Sequence, residues 1–350
     1  MINEVLFLGK SEVSITGGHK YNDELLSTLS YLLDATLKFT PSMSQKYQGV
    51  SKIFAPILEL KEFNSFDNNK LVFFADTSYK YHFILILLNA IFHKAKSVII
   101  IHHFPFLNSN CIVHKIFQCL YYSMADYIII PSPYTMSIAQ SCLRNKKIHY
   151  IPIPFNNTIT VSENYESGNL LYVGTIEPRK GIIYMLKAIN ECINNNCNKI
   201  HLNIVGKVTD KQYYNTLTEY IAQHNLSQFI TFHGRISNNL LDSFYKQADM
   251  FIFPSQLEGY GIVLIEAMKY GLPIISFNNS AMPYTIKDGI NGFLVKNKDY
   301  TEMANKIQLM LNNPALRMTI QNGIRETVNN LPSHKTFKSS IHNFIYSISI

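Results

Sequence analysis

Short apolar runs alternate with longer segments of helical period along most of this chain. In the first half, residues 4–9, 71–75, 98–101, 127–130 and 148–151 are apolar runs of strand length, whereas 22–39, 81–92, 112–125 and 134–143 repeat apolar positions every three to four residues. Leu25, Leu29, Leu32 and Leu33 form the stripe of the first predicted helix, and 81–92 is apolar enough for a helix buried on all sides. Residues 14–18 read as a loop, and 38–69 carry no readable pattern. After an exit at 152–157 and a polar linker at 158–169, the alternation restarts. Strands are predicted at 170–173, 200–205, 230–233, 250–253 and 273–277. Helices are predicted at 182–193, 211–224, 239–248, 301–311 and 315–329. The tail, 333–350, is weakly amphipathic and compatible with a helix crossing back to the first domain. Strands alternating with helices at this spacing predict parallel sheets covered on both faces. The expected fold class is therefore α/β, with two Rossmann-like doubly wound domains, 1–157 and 158–332, facing each other across a cleft. Ligands of open α/β sheets bind at the carboxyl ends of the strands.

Composition narrows the classes. A chain of 350 residues favours two domains over one, and 47% hydrophobic with 16% charged residues describes a packed protein. Five cysteines without C-x-x-C spacing read as reduced thiols in a cytoplasmic chain, with neither a disulfide framework nor a zinc site. The first residues lack the basic lead of a secretory signal, and the most apolar window, 83–92, is too short to span a bilayer. The net charge of +7 is spread over both halves, which suits a solvated surface, anionic ligands or a membrane face. No basic run with interleaved aromatics appears, so nucleic acid is not an expected partner.

Two stretches carry candidate chemistry. Pro254-Ser255-Gln256-Leu257-Glu258-Gly259-Tyr260-Gly261 follows an apolar run and leads into a helix that is apolar nearly all round, yet includes Glu266. Two glycines let backbone approach a ligand, and a helix N-terminus offers N–H groups to an anion. A carboxylate on a buried helix is costly unless hydrogen-bonded. The second stretch, Gly174-Thr175-Ile176-Glu177-Pro178-Arg179-Lys180-Gly181, has the same strand–loop–helix form and puts two cations at a helix start. Both belong to the carboxyl edge of one predicted sheet. Two cations and two carboxylates there suit a nucleotide-sugar, the cations for the diphosphate and the carboxylates for hydroxyls.

These two stretches resemble the signatures of retaining glycosyltransferase family 4, which has the GT-B fold. Glu258 and Glu266, separated by seven residues, are the most specific part. Gly17-Gly18, His102, the segment 125–132, Ile151-Pro152, Val205-Gly206, the segment 232–236 and Asp288-Gly289-Ile290-Asn291-Gly292 follow in the family's order. The resemblance implies that Lys180 binds the donor diphosphate and stabilises the leaving phosphate, that Glu258 contacts donor-sugar hydroxyls and that Glu266 bonds the ribose. It also implies that the N–H groups of Gly259, Tyr260 and Gly261 face the diphosphate or sugar, and that Gly174 and Arg179 belong to the phosphate loop. Gly234, Arg235 and Ile236 would line the base. Gly17 and Gly18 would approach the phosphates, and His102 would lie near the reacting carbon. The implied donor is a nucleoside-diphosphate sugar. The implied acceptor is a glycan, a lipid-linked precursor or a protein. No metal or other cofactor is implied, and the chain has no Asp-x-Asp.

Three positions depart from the family: Thr175 where arginine is usual, Tyr284 where glutamate is common, and His103 where aspartate is frequent. Thr175 and Tyr284 motivate an alternative, a catalytically silent relative that binds a glycan or a partner transferase. Taken without the family, His102 is a core histidine at a strand end, Glu258 a loop carboxylate, Glu266 half of a structural ion pair, Arg179 and Arg235 surface cations, and Tyr260 a space-filling ring. Lys46, Tyr47, Lys52, Tyr79, Lys80 and Tyr81 allow a peripheral contact with the inner face of a membrane.

Overall fold

A computed structural model describes residues 2–8, 17–40, 60–75, 79–104, 112–160, 168–197 and 199–349. The predicted loop residues 14–16, Cys111, and the proposed membrane residues Lys46, Tyr47 and Lys52 lie outside them, as do the side chains of Tyr79 and Lys80. The chain divides into two compact units, one formed by Met1–Phe155 with Pro332–Ile350, the other by Asn156–Leu331.

The first unit holds β1 (Glu4–Leu8), α1 (Gly17–Leu33), β2 (Thr36–Phe39), α2 (Leu60–Phe63), β3 (Lys70–Ala75), α3 (Tyr79–Phe92), β4 (Lys96–Ile100), α4 (Ile112–Ser123), β5 (Tyr127–Ile130), α5 (Pro133–Cys142), β6 (Lys147–Tyr150) and, from the far end of the chain, α13 (His334–Ser349). Its six described strands are all parallel, in the order β2-β1-β3-β4-β5-β6. Helices cover both faces, so strands such as Val98–Ile99–Ile100 are buried on both sides and read as unbroken apolar runs.

The second unit holds β7 (Asn169–Val173), α6 (Ile182–Asn194), β8 (His201–Val205), α7 (Lys211–Gln223), β9 (Ile230–Gly234), α8 (Asn238–Gln247), β10 (Met250–Phe253), α9 (Ile262–Lys269), β11 (Ile274–Phe277), α10 (Met282–Thr285), β12 (Gly292–Val295), α11 (Tyr300–Asn312) and α12 (Pro314–Asn329). Its sheet is also parallel, in the order β12-β11-β10-β7-β8-β9.

Four expectations change. The helix predicted over 22–39 starts earlier, at Gly17, and stops at Leu33, because Asp34 adopts φ +51 and the Ala35 N–H closes on Ser30 O. Thr36–Phe39 then pairs with β1 as a strand (Glu4 opposite Thr36), its alternating burial matching period two and not 3.6. Gly17 and Gly18 therefore open a helix; they are not in the loop before it. Second, α3 is not buried on all sides: Leu85 and Ile86 face the core, but Ile91 and Phe92 are 59% and 62% exposed. Third, α9 buries Leu264, Ile265, Ala267 and Met268, while Ile262, Val263 and Glu266 are only half-buried, so Glu266 is not a core carboxylate. Fourth, Gly292–Val295 forms an edge strand on β11, where the Asn291-Gly292 turn signal masks four strand residues. The tail forms α13, burying Phe337, Ile341, Phe344 and Ile348 on one stripe, and packs on α1 and β6 of the first unit. Among the described residues no helix is long and apolar enough to cross a membrane.

Candidate functional site

In the second sheet the connections run from β7 outward through β8 and β9, then return to β10 on the other side of β7. The strand order reverses between β7 and β10, whose carboxyl-end loops lead to α6 and α9. This is where open α/β sheets hold ligands. The β7 loop ends in a 3₁₀ turn, Pro178–Lys180, whose proline suits its first position. Gly181 follows with φ +66, and a Cβ there would lie 2.2 Å from Pro254 O. Only glycine permits this approach of the β7 loop to the β10 loop. The Gln256 N–H completes it by donating to Arg179 O at 2.9 Å.

That backbone contact brings together charges 78 residues apart. Lys180 Nζ lies 2.5 Å from Glu258 Oε1, with both side chains almost buried, at 11% and 13% exposed. Ser255 Oγ donates to the same Oε1 at 2.7 Å, and Arg179 reaches it at 3.3 Å. Arg179 also donates to Leu257 O at 2.6 Å and to Glu177 Oε1 at 2.8 Å, and Thr175 Oγ1 donates to that same Glu177 oxygen at 2.9 Å. Burial pushes the Glu258 carboxyl up, but the Lys180 and Arg179 charges and the hydrogen bonds from Lys180 and Ser255 outweigh it. Its pKa falls below the usual 4.5. Glu258 is thus an ionised, acceptor-only group held by two cations, and its backbone N–H donates to Ser280 Oγ at 3.0 Å. Lys180 also stands 5.3 Å above the Phe253 ring.

Gly259 and Tyr260 are half-buried in the loop that follows, and Gly261, at φ +80, caps the N-terminus of α9. Glu266, at the start of the second turn of α9, accepts from Tyr245 Oη at 3.2 Å. Tyr245 is stacked on Tyr270 at 5.0 Å with the planes 3° apart, and Tyr270 Oη donates to Asp242. Burial, followed by the Glu266 charge, pushes the Tyr245 phenol well above its ordinary value, which keeps it a donor. Glycines line the neighbouring strand ends. The Gly206 N–H donates to Gly234 O at 2.8 Å, and a Cβ on Gly206 would lie 1.8 Å from Gly174 O. After β9, Arg235 is exposed and Ile236 half-buried, so Arg235 has its side chain in solvent. Tyr284, on α10, is 51% exposed.

In the first unit, His102 follows β4. Its Nε2 is 2.8 Å from Asn22 Oδ1, its ring meets Tyr21 edge-on at 5.6 Å, and its carbonyl accepts from Thr135 Oγ1 at 3.0 Å. A Cβ on Gly18 would stand 3.5 Å from that ring, so the start of α1 lies directly over His102. The structure thus gathers Lys180, Arg179, Glu258 and Gly181 in one unit, and Gly18 with His102 in the other. Sequence reasoning missed Glu177, Ser255, Ser280, Tyr245 and Asn22. Glu177 and Ser255 stand inside the two stretches but have no signature of their own, since a small polar or acidic loop residue is ordinary there. Among the described residues no three His, Cys, Asp or Glu side chains are grouped to hold a metal ion.

Comparison with known proteins follows the same division. Residues 160–327 match the family model Glycosyl transferases group 1. The capsular polysaccharide biosynthesis glycosyltransferase CapM of Staphylococcus aureus is 28% identical over 170 residues, 49% of this chain and 43% of that protein. An uncharacterised glycosyltransferase of Methanocaldococcus jannaschii is 29% identical over 201 residues, 57% of this chain and 54% of its own length. The chain spans about half the length of the curated relatives it matches. Among solved structures, sucrose-phosphate synthase of Thermosynechococcus elongatus superposes with a TM-score of 0.80 at 18% identity over 99% of each chain. HepE of Anabaena, in complex with UDP and glucose, gives 0.77 at 16% identity over 99% of this chain and 100% of its own. At these identities the likeness establishes the fold, which is GT-B. The stretch containing β7, β10 and both charged loops lies within residues 160–327, which match the glycosyl transferases group 1 model.

Proposed function

We propose that the protein is a retaining glycosyltransferase, moving a hexose from a nucleoside-diphosphate sugar to a glycan, lipid-linked or protein acceptor in cell-envelope polysaccharide or glycoconjugate synthesis. The observation that carries this reading is the Lys180–Glu258–Arg179 cluster at the switch point of the second sheet. Breaking a glycosyl–phosphate bond builds negative charge on the diphosphate and positive charge on the sugar. A nearly buried cation such as Lys180, with the part-exposed Arg179 beside it, lowers the barrier by facing the former, because its effect is strong where water is excluded. Arrival of the diphosphate gives Lys180 and Arg179 a new anionic partner, and Glu258 becomes free to accept from sugar hydroxyls. The acceptor hydroxyl attacks from the face the phosphate leaves, and a phosphate oxygen takes its proton. Glu266, with Tyr245 behind it, accepts from the ribose hydroxyls. The N–H groups of Gly259 to Gly261 face the phosphates or sugar, Gly174 gives the phosphate loop its close backbone, and Gly234 to Ile236 line the base. In the first unit, Gly17, Gly18 and His102 are assigned to substrate contact, with Gly18 set against the His102 ring. The chemistry is complete without a metal, and the working location is the cytoplasm or the inner face of its membrane. CapM, by its name, acts in capsule synthesis, and HepE is seen with UDP and with UDP-glucose, so UDP-sugars are the first donors to test.

Calorimetric titration with UDP and with GDP tests the reading. One of the two is expected to bind with a Kd of about 1–100 µM, within the usual range for such substrates, and the matching nucleotide-sugar to be hydrolysed slowly. Absence of binding to either supports a silent glycan- or partner-binding relative. That reading is favoured by one observation: Thr175, where the family has arginine, gives its hydroxyl to Glu177 and adds no charge. Tyr245→Phe is expected to raise the donor KM about three- to tenfold with kcat within twofold, since one neutral-to-charged hydrogen bond behind Glu266 is lost. An unchanged KM would show that Tyr245 does not orient Glu266.

A further inference from the structure

The first unit has a helix that is inside out. On α4, Ile112, Val113, Ile116, Phe117 and Leu120 face solvent at 43–69% exposure, while Gln118 is turned inward at 3%. Positions 112, 116 and 120, with 113 and 117 beside them, make one continuous stripe, the spacing of an amphipathic helix whose apolar side faces away from the core. The stripe continues onto α3. Phe83 and Phe117 meet with ring centroids 4.4 Å apart, and Leu87, Ile91 and Phe92 are exposed at 38–62%. On the other side a groove between α4 and the end of α5 extends it through Cys119 and Leu143. Scattered apolar side chains are normal on a surface, but a contiguous patch across two helices marks a contact site.

Charge identifies the partner. Between Asp76 and Asp126 the sequence has no acidic residue and has four lysines; of its five histidines, His82 is fully buried and His102 lies under the start of α1, so neither adds to this surface. Lys115 flanks the stripe on α4, and His93 and Lys94 follow directly after α3. Two copies of this chain meeting face to face about a two-fold axis would set these cationic margins against each other. An anionic lipid surface complements both features, taking the apolar stripe into the headgroup–acyl boundary and the lysines against phosphate.

We propose that the outward faces of α3 and α4 are a docking surface for an anionic bilayer, with α4 lying in the plane of its interface. Of the residues named earlier as membrane contacts, Tyr79, Lys80 and Tyr81 belong to α3, and α4 is the new element; the proposal does not depend on the transfer reaction.

The test is flotation of the full chain with vesicles of phosphatidylcholine alone and of phosphatidylcholine with one-quarter phosphatidylglycerol. The wild-type chain is expected to float with the anionic vesicles and far less with the neutral ones, and to be released as salt rises, each lysine at the surface being worth about fivefold in partitioning. The double variant Ile112→Glu/Ile116→Glu, at positions 69% and 55% exposed, is expected to lower partitioning at least about tenfold. Its melting temperature and its binding of nucleoside diphosphate should stay at wild-type values, because both side chains are exposed. Failure of the wild-type chain to float with anionic vesicles overturns the proposal, as does equal flotation of the double variant. A chain that is dimeric by light scattering, made monomeric by the same substitutions and indifferent to vesicles, assigns the face to a second copy and equally overturns it. Nucleotide binding is measured on the same samples, so failure here is separable from failure of the transferase reading.

Discussion

Lys180→Ala is expected to lower transfer, measured as kcat with saturating donor, by about two to three orders of magnitude, the loss that follows removal of one preorganised charge-stabilising group. Its ammonium is 11% exposed and lies at the crossing of the two loops, where a charge acts with little solvent screening. The fold should survive. Glu258 retains Ser255 at 2.7 Å and Arg179 at 3.3 Å, so the carboxylate is not left without partners, and the stability cost should be roughly 1–3 kcal/mol. The same variant should change the acid limb of stability. The Glu258 carboxyl titrates below its usual 4.5 in the folded chain, so its contribution is present above pH 4.5 and is lost as pH falls through the folded value. Without Lys180 that folded value moves up, the contribution shrinks, and the variant should differ most from wild type above pH 4.5, converging with it in stronger acid. Chemical denaturation at pH 7 and at pH 3.5 measures this. Turnover within tenfold of wild type would remove Lys180 from the leaving-group role, and a cost that does not fall with pH would remove its coupling to Glu258.

The parts of this site differ in how visible they are in sequence. Met250–Phe253 is apolar, four residues long and ended by a proline, and is a strand with the same limits in the structure. Gly181 and Lys180 stand at a turn with its own punctuation, a proline three residues before a glycine. Such local signals survive because the backbone conformation they demand is the one the fold uses. What is invisible is the partner of each charge. Arg179 can be seen as a cation, but not that Glu177, Leu257 O and Glu258 hold its guanidinium; two of those three contacts depend on where a loop about 78 residues away comes to rest. Tyr245 shows nothing in sequence of its bond to Glu266, since a tyrosine on an amphipathic helix is usually core, and this one is buried as well. The misread end of α1 has a different origin. Leu37 and Phe39 continue the apolar spacing of the helix closely enough to extend it on paper. The break is made by one residue, Asp34 at φ +51, of a type that tolerates this conformation without announcing it. The outward turn of α4 is invisible for another reason: periodicity reports that a helix has an apolar face, and not whether that face meets the core.

Two glycines with nearly the same backbone conformation separate what the loop crossing needs from what glycine alone supplies. Gly181 has φ +66 and Gly234 φ +64, and alanine at either must enter the left-handed region, at about 1 kcal/mol. At Gly234 a Cβ meets nothing within 4 Å, so Gly234→Ala should cost little more than that. At Gly181 the same Cβ lies 2.2 Å from Pro254 O and 3.2 Å from Pro254 C, and both are backbone atoms that no rotamer change can move. The β7 and β10 loops must separate, adding about 1–3 kcal/mol of the kind seen when a packed site is overfilled. Gly181→Ala should therefore lower the melting temperature by roughly 4–16 °C, against about 2–4 °C for Gly234→Ala, for a unit of this size. It should also draw Lys180, the preceding residue, away from Glu258, so that kcat/KM falls by at least about tenfold. Equal melting temperatures for the two variants would mean that the Gly181–Pro254 contact is not close in solution, and the juxtaposition of Lys180 with Glu258 would lose its structural cause. A large thermal loss with unchanged kcat/KM would mean instead that the contact supports the fold while the charges find each other without it.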